Sequence, residues 1–171
     1  MLKRIAFFLL LFIMAGNAVA QTAEQEASIK AVFIYNFTRY IDWDNANNEP
    51  DFVIGIMGSS NIERSINAIA RTNTVGGKRI VLKHFNKPEE ITSCSILFIP
   101  PDCPFALGNI LEKVNKGTLT VSDKAGWGRL GTAFNFVIKN EKVKFEANLK
   151  AINDAGLKAS SQLLKLAIIV N

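Results

Sequence analysis

The segment FVIGIMGSSNIERSINAIA, residues 52–70, gives the clearest indication of the architecture. Its first part, FVIGIM, shows little alternation of apolar and polar residues, which is typical of a strand buried on both faces. A turn at Gly58 follows, and Ser60 and Glu63 have the spacing of a capping box at a helix start. The helix then directs three residues inward: Ile62, Ile66 and Ile69. The segment therefore predicts a strand followed by a helix.

Strands and helices continue to alternate downstream. Three further β-rich runs are predicted as strands: residues 78–85, 95–99 and 118–122. A helix is predicted to open at the proline-rich residues 100–104 and to run to about residue 115, with Gly117 as its stop. This order favours an α/β fold, a three-layer α/β/α sandwich around a mostly parallel sheet.

The first helix of this architecture is predicted within residues 29–43. Its apolar positions are spaced by three and four, which indicates a helix with one buried stripe. The residues of that stripe are Ile29, Val32, Phe33, Phe37 and Tyr40. Tyr35 projects elsewhere on the helix and Trp43 lies just past its end, so both are candidates for contact with a binding partner.

The last third of the chain has a different pattern. Residues 132–138 and 143–147 are β-rich and predict a C-terminal β-hairpin. A short helix is expected over residues 149–155. Ser160 then caps a closing helix that is apolar on nearly every side as far as Ile169, so this helix is predicted to be buried.

The N-terminus has the features of an export signal. Residues 1–20, MLKRIAFFLLLFIMAGNAVA, have a basic start, a short apolar centre and an A-x-A end. These are the parts of a secretory signal peptide, and we predict cleavage after Ala20. Residues 21–171 are then long enough to form one domain with a proper core.

Charge and the lengths of the apolar runs exclude two classes of protein. The full chain has 20 Lys and Arg against 15 Asp and Glu, a formal charge of +5. Lys3 and Arg4 leave with the leader, and the remaining charge of about +3 forms no basic cluster of the kind that binds nucleic acid. No later apolar run is long enough to span a bilayer, so we expect no membrane insertion after cleavage.

The motif GWGRLG, residues 126–131, literally matches the glycine pattern of dinucleotide-binding loops. In those loops the glycines lie between a strand and a helix, whereas a strand pattern follows here. We therefore interpret the motif as a glycine-rich bend that leads into the hairpin. Three residues of that bend are predicted to be exposed and to contact a partner: Trp127, Arg129 and Leu130.

No set of residues with catalytic or metal-binding spacing is found. His84 is the only histidine, so a histidine-rich metal site is excluded, and the sequence offers it no visible partner. Nucleophile and phosphate-binding motifs are also missing. We therefore expect a protein that is not an enzyme and that needs no cofactor.

Cys94 and Cys103 are the only cysteines, and export would favour their oxidation. They flank a predicted strand, residues 95–99, which would span about 16–17 Å. A disulfide needs Cα atoms within about 7 Å, so a bridge would require the chain to fold back after that strand. Buried inert thiols and a bridge to another chain remain as alternatives.

Residues 29–43, IKAVFIYNFTRYIDW, resemble the opening helix of the YfiR family of periplasmic proteins. The matching positions are Lys30, Ala31, Phe33, Tyr35, Asn36, Phe37 and Trp43. The C-terminal half is similar in order and content, with a cysteine-led strand (94–99), a next strand (119–123) and a closing signature (148–149, 155–158, 160–161 and 163–167). The resemblance covers nearly the whole mature chain.

This resemblance implies regulation rather than catalysis. The family includes periplasmic repressors that bind the periplasmic sensor region of an inner-membrane diguanylate cyclase, which lowers cyclic di-GMP and biofilm formation. An outer-membrane lipoprotein sequesters such repressors. The implied fold is a three-layer α/β sandwich that is often dimeric. Better-known members carry more cysteines and use disulfides for stability, whereas this chain has only two.

Two other roles stay open. The protein could be a periplasmic receptor for a small ligand, bound at the carboxyl ends of parallel strands and lined by the loops after Met57 and Ser122. It could also be an adaptor for another membrane signalling receptor, because a fold does not settle a function.

Overall fold

A computed structural model describes residues 22–43 and 49–171. The predicted leader, residues 1–20, lies outside these residues. The first element is helix α1, residues 22–40. The remaining helices are α2 (Ile62–Ala70), α3 (Leu107–Leu111), α4 (Trp127–Leu130), α5 (Leu149–Asp154) and α6 (Ser161–Leu164), with one 3-10 turn at Pro88–Glu90.

Most strands form one sheet. The strands are β1 (Ile41–Asp42), β2 (Phe52–Met57), β3 (Thr74–Val75), β4 (Lys78–Phe85), β5 (Ile96–Ile99), β6 (Leu119–Ser122), β7 (Phe134–Lys139), β8 (Lys142–Asn148), β9 (Lys158–Ala159) and β10 (Ile168–Val170). Eight of them form a sheet in the order β10-β8-β7-β6-β5-β2-β4-β3, while β1 pairs with β9. Strands β4, β2, β5, β6 and β7 are mutually parallel. The predicted α/β fold with a mostly parallel sheet is therefore confirmed.

Helices cover both faces of this sheet. The larger apolar cluster packs α1 and α2 against one face, and the smaller cluster packs α3 and α4 against the other. Strand β2 shows the effect in its own residues: Phe52, Ile54 and Ile56 belong to the larger cluster, whereas Val53 and Met57 belong to the smaller. A strand between two cores needs no polar face, which explains its unbroken apolar run.

The predicted hairpin is confirmed, and its turn explains its register. Strands β7 and β8 pair antiparallel as far as Lys139 opposite Lys142. The two residues between them, Asn140 and Glu141, have φ values of 51° and 58°. Such a two-residue turn with positive φ matches the right-handed twist of the flanking strands.

The predicted buried stripe of α1 is wrong in part. Ile29 is 40% exposed, Val32 is 51% exposed and Tyr40 is 38% exposed. Phe37 is buried as predicted, but the other residues of the face that meets the sheet include Ala27, Ala31 and Ile34, all buried. The buried face of α1 is therefore shifted from the predicted stripe towards Ala27, Ala31 and Ile34.

The predicted buried closing helix is also wrong. Ser160 does cap a helix, since its side chain accepts a hydrogen bond from the Leu163 N–H, but α6 ends at Leu164. The chain then forms β10, which pairs parallel with β8 and leaves Leu166 66% exposed. The β-branched residues 168–170 thus pair with the open edge of β8, and this pairing outweighs the helical pattern of their sequence.

Helix α3 is shorter than predicted. It begins at Leu107 and ends at Leu111, rather than running from the prolines to about residue 115. A turn in which the Cys103 N–H donates to the Pro100 carbonyl delays its start.

Candidate functional site

The glycine-rich motif forms a short helical turn rather than an open bend. Helix α4 lies between Gly126 and Gly131, whose φ values of 81° and 122° favour glycine. Trp127, predicted to be exposed, is only 7% exposed and packs in the smaller apolar cluster. The Lys124 ammonium lies 4.9 Å from the centre of its ring. Trp127 is therefore the anchor of the turn, and the prediction that it is an exposed contact residue is wrong.

Gly128 fixes the turn against the hairpin. A Cβ at this position would lie 2.6 Å from the Glu146 carboxylate, so the backbone of α4 packs directly on β7 and β8. The Asn148 amide donates to the Gly128 carbonyl at 2.9 Å, and Glu146 accepts from the Asn135 amide at 2.8 Å. These contacts leave α4 little freedom to move.

The same turn presents Arg129 and Leu130 outward. Arg129 is exposed and Leu130 is 67% exposed, as the sequence predicted for these two residues. Both line a cleft of about 530 Å³ that extends to the end of α3 and to α5. Other residues of the lining are Leu111, Val114, Lys116, Lys150 and Ala151. The cleft thus combines cationic and apolar side chains.

The polar groups at the base of the cleft serve the fold. The Thr120 hydroxyl accepts from the Ala133 N–H at 2.9 Å, and the Thr118 hydroxyl donates to the Cys94 carbonyl at 2.8 Å. Lys150, at the rim, is paired with Asp154 at 2.5 Å.

Tyr35 and Trp43 do not join this surface. Trp43 is half-buried; its ring lies edge-on to Phe52 at 5.5 Å, and its indole N–H donates to the Ser95 carbonyl at 3.3 Å. Tyr35 is half-buried against the larger cluster, with the Arg39 guanidinium 5.7 Å from its ring. Both residues therefore belong to the α1 face of the sheet, whereas α4 covers the other.

The two cysteines are buried free thiols. Both belong to the smaller apolar cluster, which matches one of the alternatives left open by the sequence. Burial raises the pKa of the Cys94 thiol to about 11, with hydrogen bonds and the Lys83 charge opposing the rise only in part. An un-ionised thiol is a weak nucleophile, so Cys94 is not a reactive group.

His84 has a partner that the sequence did not reveal. Its Nε2 lies 3.6 Å from a Glu63 carboxylate oxygen, and its Nδ1 lies 3.1 Å from the Gly58 carbonyl. Glu63 also accepts from the Ser60 N–H at 2.7 Å, which is one half of the predicted capping box. The other half is not formed, because the Ser60 hydroxyl accepts from the Ile62 N–H and the helix cap is Asn61. The partner lies on α2, which packs beside β4 in space but precedes it in the chain.

A buried ion pair is the main polar feature that the sequence did not predict. Lys30 is 7% exposed, and its ammonium lies 2.6 Å from Asp123 and also contacts Glu26. Burial raises the pKa of the Asp123 carboxyl above 3.8, although Lys30 opposes that rise. The pair joins α1 to the end of β6 across 93 positions, a distance at which spacing rules give no signal.

The residues described contain neither a metal-binding cluster nor a helix that could span a membrane. In ranges 22–43 and 49–171 no group of three or more His, Cys, Asp or Glu side chains could hold a metal ion. No helix of that part of the chain is long and apolar enough to cross a membrane.

Among known families, residues 27–168 match the profile described as YfiR/HmsC-like.

Proposed function

Because the chain belongs to the YfiR/HmsC-like family, we propose that it is a periplasmic regulator of diguanylate cyclase signalling. In this proposal it binds the periplasmic sensor region of an inner-membrane diguanylate cyclase and holds the enzyme inactive. Cyclic di-GMP and biofilm formation then fall. The observation that carries the proposal is the rigid turn α4, which presents Arg129 and Leu130 beside a cleft.

The geometry fits recognition of a protein surface. Arginine is one of the residues that most often dominate binding energy at interfaces, and its fork of donors suits carboxylates and carbonyls. A contact residue held in place before binding loses less entropy on association. A partner that holds one sensor conformation must favour it by about 5.5 kcal/mol to move a 1:99 equilibrium to 99:1.

The proposal also covers the mode of action, the export and the assembly of this protein. The regulator acts by contact, without catalysis and without a cofactor. It is exported by the leader at residues 1–20, forms a homodimer, and is withdrawn from the cyclase by an outer-membrane lipoprotein. Family membership supports the regulatory role, whereas the exposed Arg129 and Leu130 support only the contact itself.

The test is the double variant Arg129→Ala with Leu130→Ala. Both side chains are exposed, so the variant should fold, lose capture of the cyclase from detergent-solubilised membranes, and raise cellular cyclic di-GMP. Arg71→Ala with Val32→Ala removes an arginine and an apolar residue that are exposed elsewhere, and it should leave both readouts unchanged. If the Arg129 and Leu130 variant is present at normal abundance and cyclic di-GMP does not change, this surface is not the contact.

A receptor for a small ligand is the second candidate, and the cleft of about 530 Å³ favours it. Its volume is in the range of ligand sites, although it lies beside α3, α4 and α5 rather than at the loops after Met57 and Ser122. A ligand at 100 times its dissociation constant would add about 2.7 kcal/mol to stability, which a thermal-shift screen detects. Capture of a different membrane receptor would instead indicate the adaptor role.

A further inference from the structure

Strands β7 and β8 extend beyond their neighbours. Strand β6 pairs with β7 only at Phe134 and Asn135, and β10 pairs with β8 only from Glu146 onward. The pairing between β7 and β8 continues to the turn. Residues 136–145, here called the hairpin arm, therefore have free strand edges within the part of the chain that is described.

One face of the hairpin arm is strongly basic. In the register, Val137 lies opposite Lys144 and Lys139 lies opposite Lys142, so these side chains share a face. All three lysines are exposed, and none forms an ion pair with a described residue. Glu146 shares this face beyond Lys144, but its carboxylate accepts from the Asn135 amide, so no described carboxylate forms an ion pair with the three ammonium groups.

The other face anchors the arm. Phe33 of α1 packs against Phe136 and Phe145, with ring centroids 6.1 Å and 5.6 Å apart. The arm is thereby held against α1, and its basic face is held outward. A pre-positioned edge of this kind costs less to occupy than a disordered segment.

The basic face borders a groove along the free edge of β8. The groove has a volume of about 510 Å³ and is lined by Lys139, Asn140, Lys142, Lys144, Leu166 and Ile168. Leu166, which is 66% exposed, provides apolar surface beside the lysines. The groove therefore combines an open strand edge, the positive charge of three lysines and a small apolar surface.

We propose that this groove binds an extended acidic segment of a partner protein, which adds as a strand to β8 and places its carboxylates on the lysines. Strand addition uses the main-chain groups of a free edge, and charge complementarity selects the partner. The free edge favours a peptide over an anionic lipid surface, which would use the lysines but not the backbone. This surface is separate from Arg129 and Leu130, so the proposal stands apart from the proposed function.

The first experiment measures binding of a fluorescein-labelled octapeptide of alternating glutamate and valine by fluorescence anisotropy at low salt. The triple variant Lys139→Gln, Lys142→Gln, Lys144→Gln should bind about tenfold more weakly or worse. A variant with the same loss of charge at other exposed lysines, Lys83→Gln, Lys87→Gln, Lys113→Gln, should retain binding. Equal binding by the two variants would overturn the proposal, since the effect would be one of net charge.

A second measurement tests strand addition itself. An octapeptide in which proline replaces valine keeps the charge but cannot pair as a strand, and it should bind about tenfold more weakly or worse. Hydrogen exchange should slow with the valine peptide alone at the amides of Val143 and Phe145, which point to the free edge and alternate with the amides bonded to β7. Equal binding of the two peptides would overturn strand addition. Lysine-dependent binding to phosphatidylglycerol vesicles without a peptide preference would indicate a membrane surface instead.

Discussion

Lys30 places a charge on the face of α1 that meets the sheet, where charged side chains are rarely found. It remains there because Asp123 and Glu26 accept from its ammonium, and its ammonium lies 5.9 Å from the Phe136 ring. A buried ion pair contributes little relative to an apolar pair, but loss of one partner leaves the other charge uncompensated. Lys30 and Asp123 therefore form one unit.

Replacing Lys30 with Met should destabilise the protein by about 3 kcal/mol at pH 7, because the Asp123 carboxylate loses its cation. Burial already raises the pKa of Asp123, so the folded state holds that proton at a higher pH than the unfolded state does. Stability therefore falls as pH rises through the folded pKa, and the Met variant enlarges this loss. Urea unfolding at pH 7 and at pH near 4 should show a smaller penalty at the lower pH.

The control for this variant is Lys150→Met, which removes an exposed pair with Asp154 and should cost about 0.5 kcal/mol or less. The variant Lys30→Met with Asp123→Asn should recover part of the stability at pH 7. A penalty for Lys30→Met that is the same at both pH values would contradict the assigned role of Asp123.

The cysteines give a second prediction at this scale. With a pKa of about 11, about one Cys94 thiol in a thousand is ionised at pH 8, and burial also shields it from reagents. Cys103 is 4% exposed and is therefore shielded as well, so a disulfide reagent should modify neither thiol of the native protein, and the denatured protein should titrate two thiols. Denatured protein that titrates none until it is reduced would indicate a disulfide.

Individual side chains were harder to predict from the sequence than strands were. The exposure of Arg129 and Leu130 was predicted correctly, but Trp127 in the same turn is buried. The pattern of glycines indicates a bend, yet it does not indicate which side of the bend meets the core. That choice depends on Asn148 and Glu146, which reach α4 only in the folded state.

At the scale of elements, β2 shows how one glycine fits between two layers. Gly55 lies at the centre of this strand, where a Cβ would be 2.6 Å from the Phe85 ring and 3.2 Å from Leu97. Phe85 and Leu97 lie this close to Gly55 because they pack in the smaller apolar cluster. Glycine is therefore required here by packing rather than by backbone conformation.

Gly55→Ala should cost about 2 kcal/mol, because a buried ring must move to admit the methyl group. Gly108→Ala is the matched control, since Gly108 lies in α3 with no atom within 4 Å of the new Cβ. This second change should stabilise the protein by about 0.5–1 kcal/mol through helix propensity. Denaturant unfolding measures both, and a similar effect of the two alanines would contradict the packing argument.

Elements with buried apolar runs were predicted well, whereas those decided by pairing were not. Strands β2 and β5 and the hairpin follow from composition alone. The segment that forms β10 has an apolar pattern compatible with a helix, and only the open edge of β8 makes it a strand. Likewise, the buried face of α1 depends on where Ala27 and Ala31 meet the sheet.

At the scale of the whole molecule, the predicted leader determines where the mature chain begins. Protein recovered from the periplasmic fraction should begin at Gln21, and its intact mass should match residues 21–171. The same chain with Lys3 and Arg4 changed to Glu should accumulate uncleaved, because the basic start of a leader is needed for export. Cytoplasmic recovery of full-length wild-type chain would contradict the predicted leader.

The packing of α1 also determines when this molecule can become folded. The Phe37 ring, in the first helix, lies 4.5 Å from Phe134 and 5.1 Å from Phe145. The apolar face of α1 is therefore covered only when the C-terminal hairpin packs against it, and closing so long a loop is slow. In the proposed export, with the N-terminus first, α1 would leave the channel before the hairpin, and its apolar face would then stay uncovered until the end of the chain had followed.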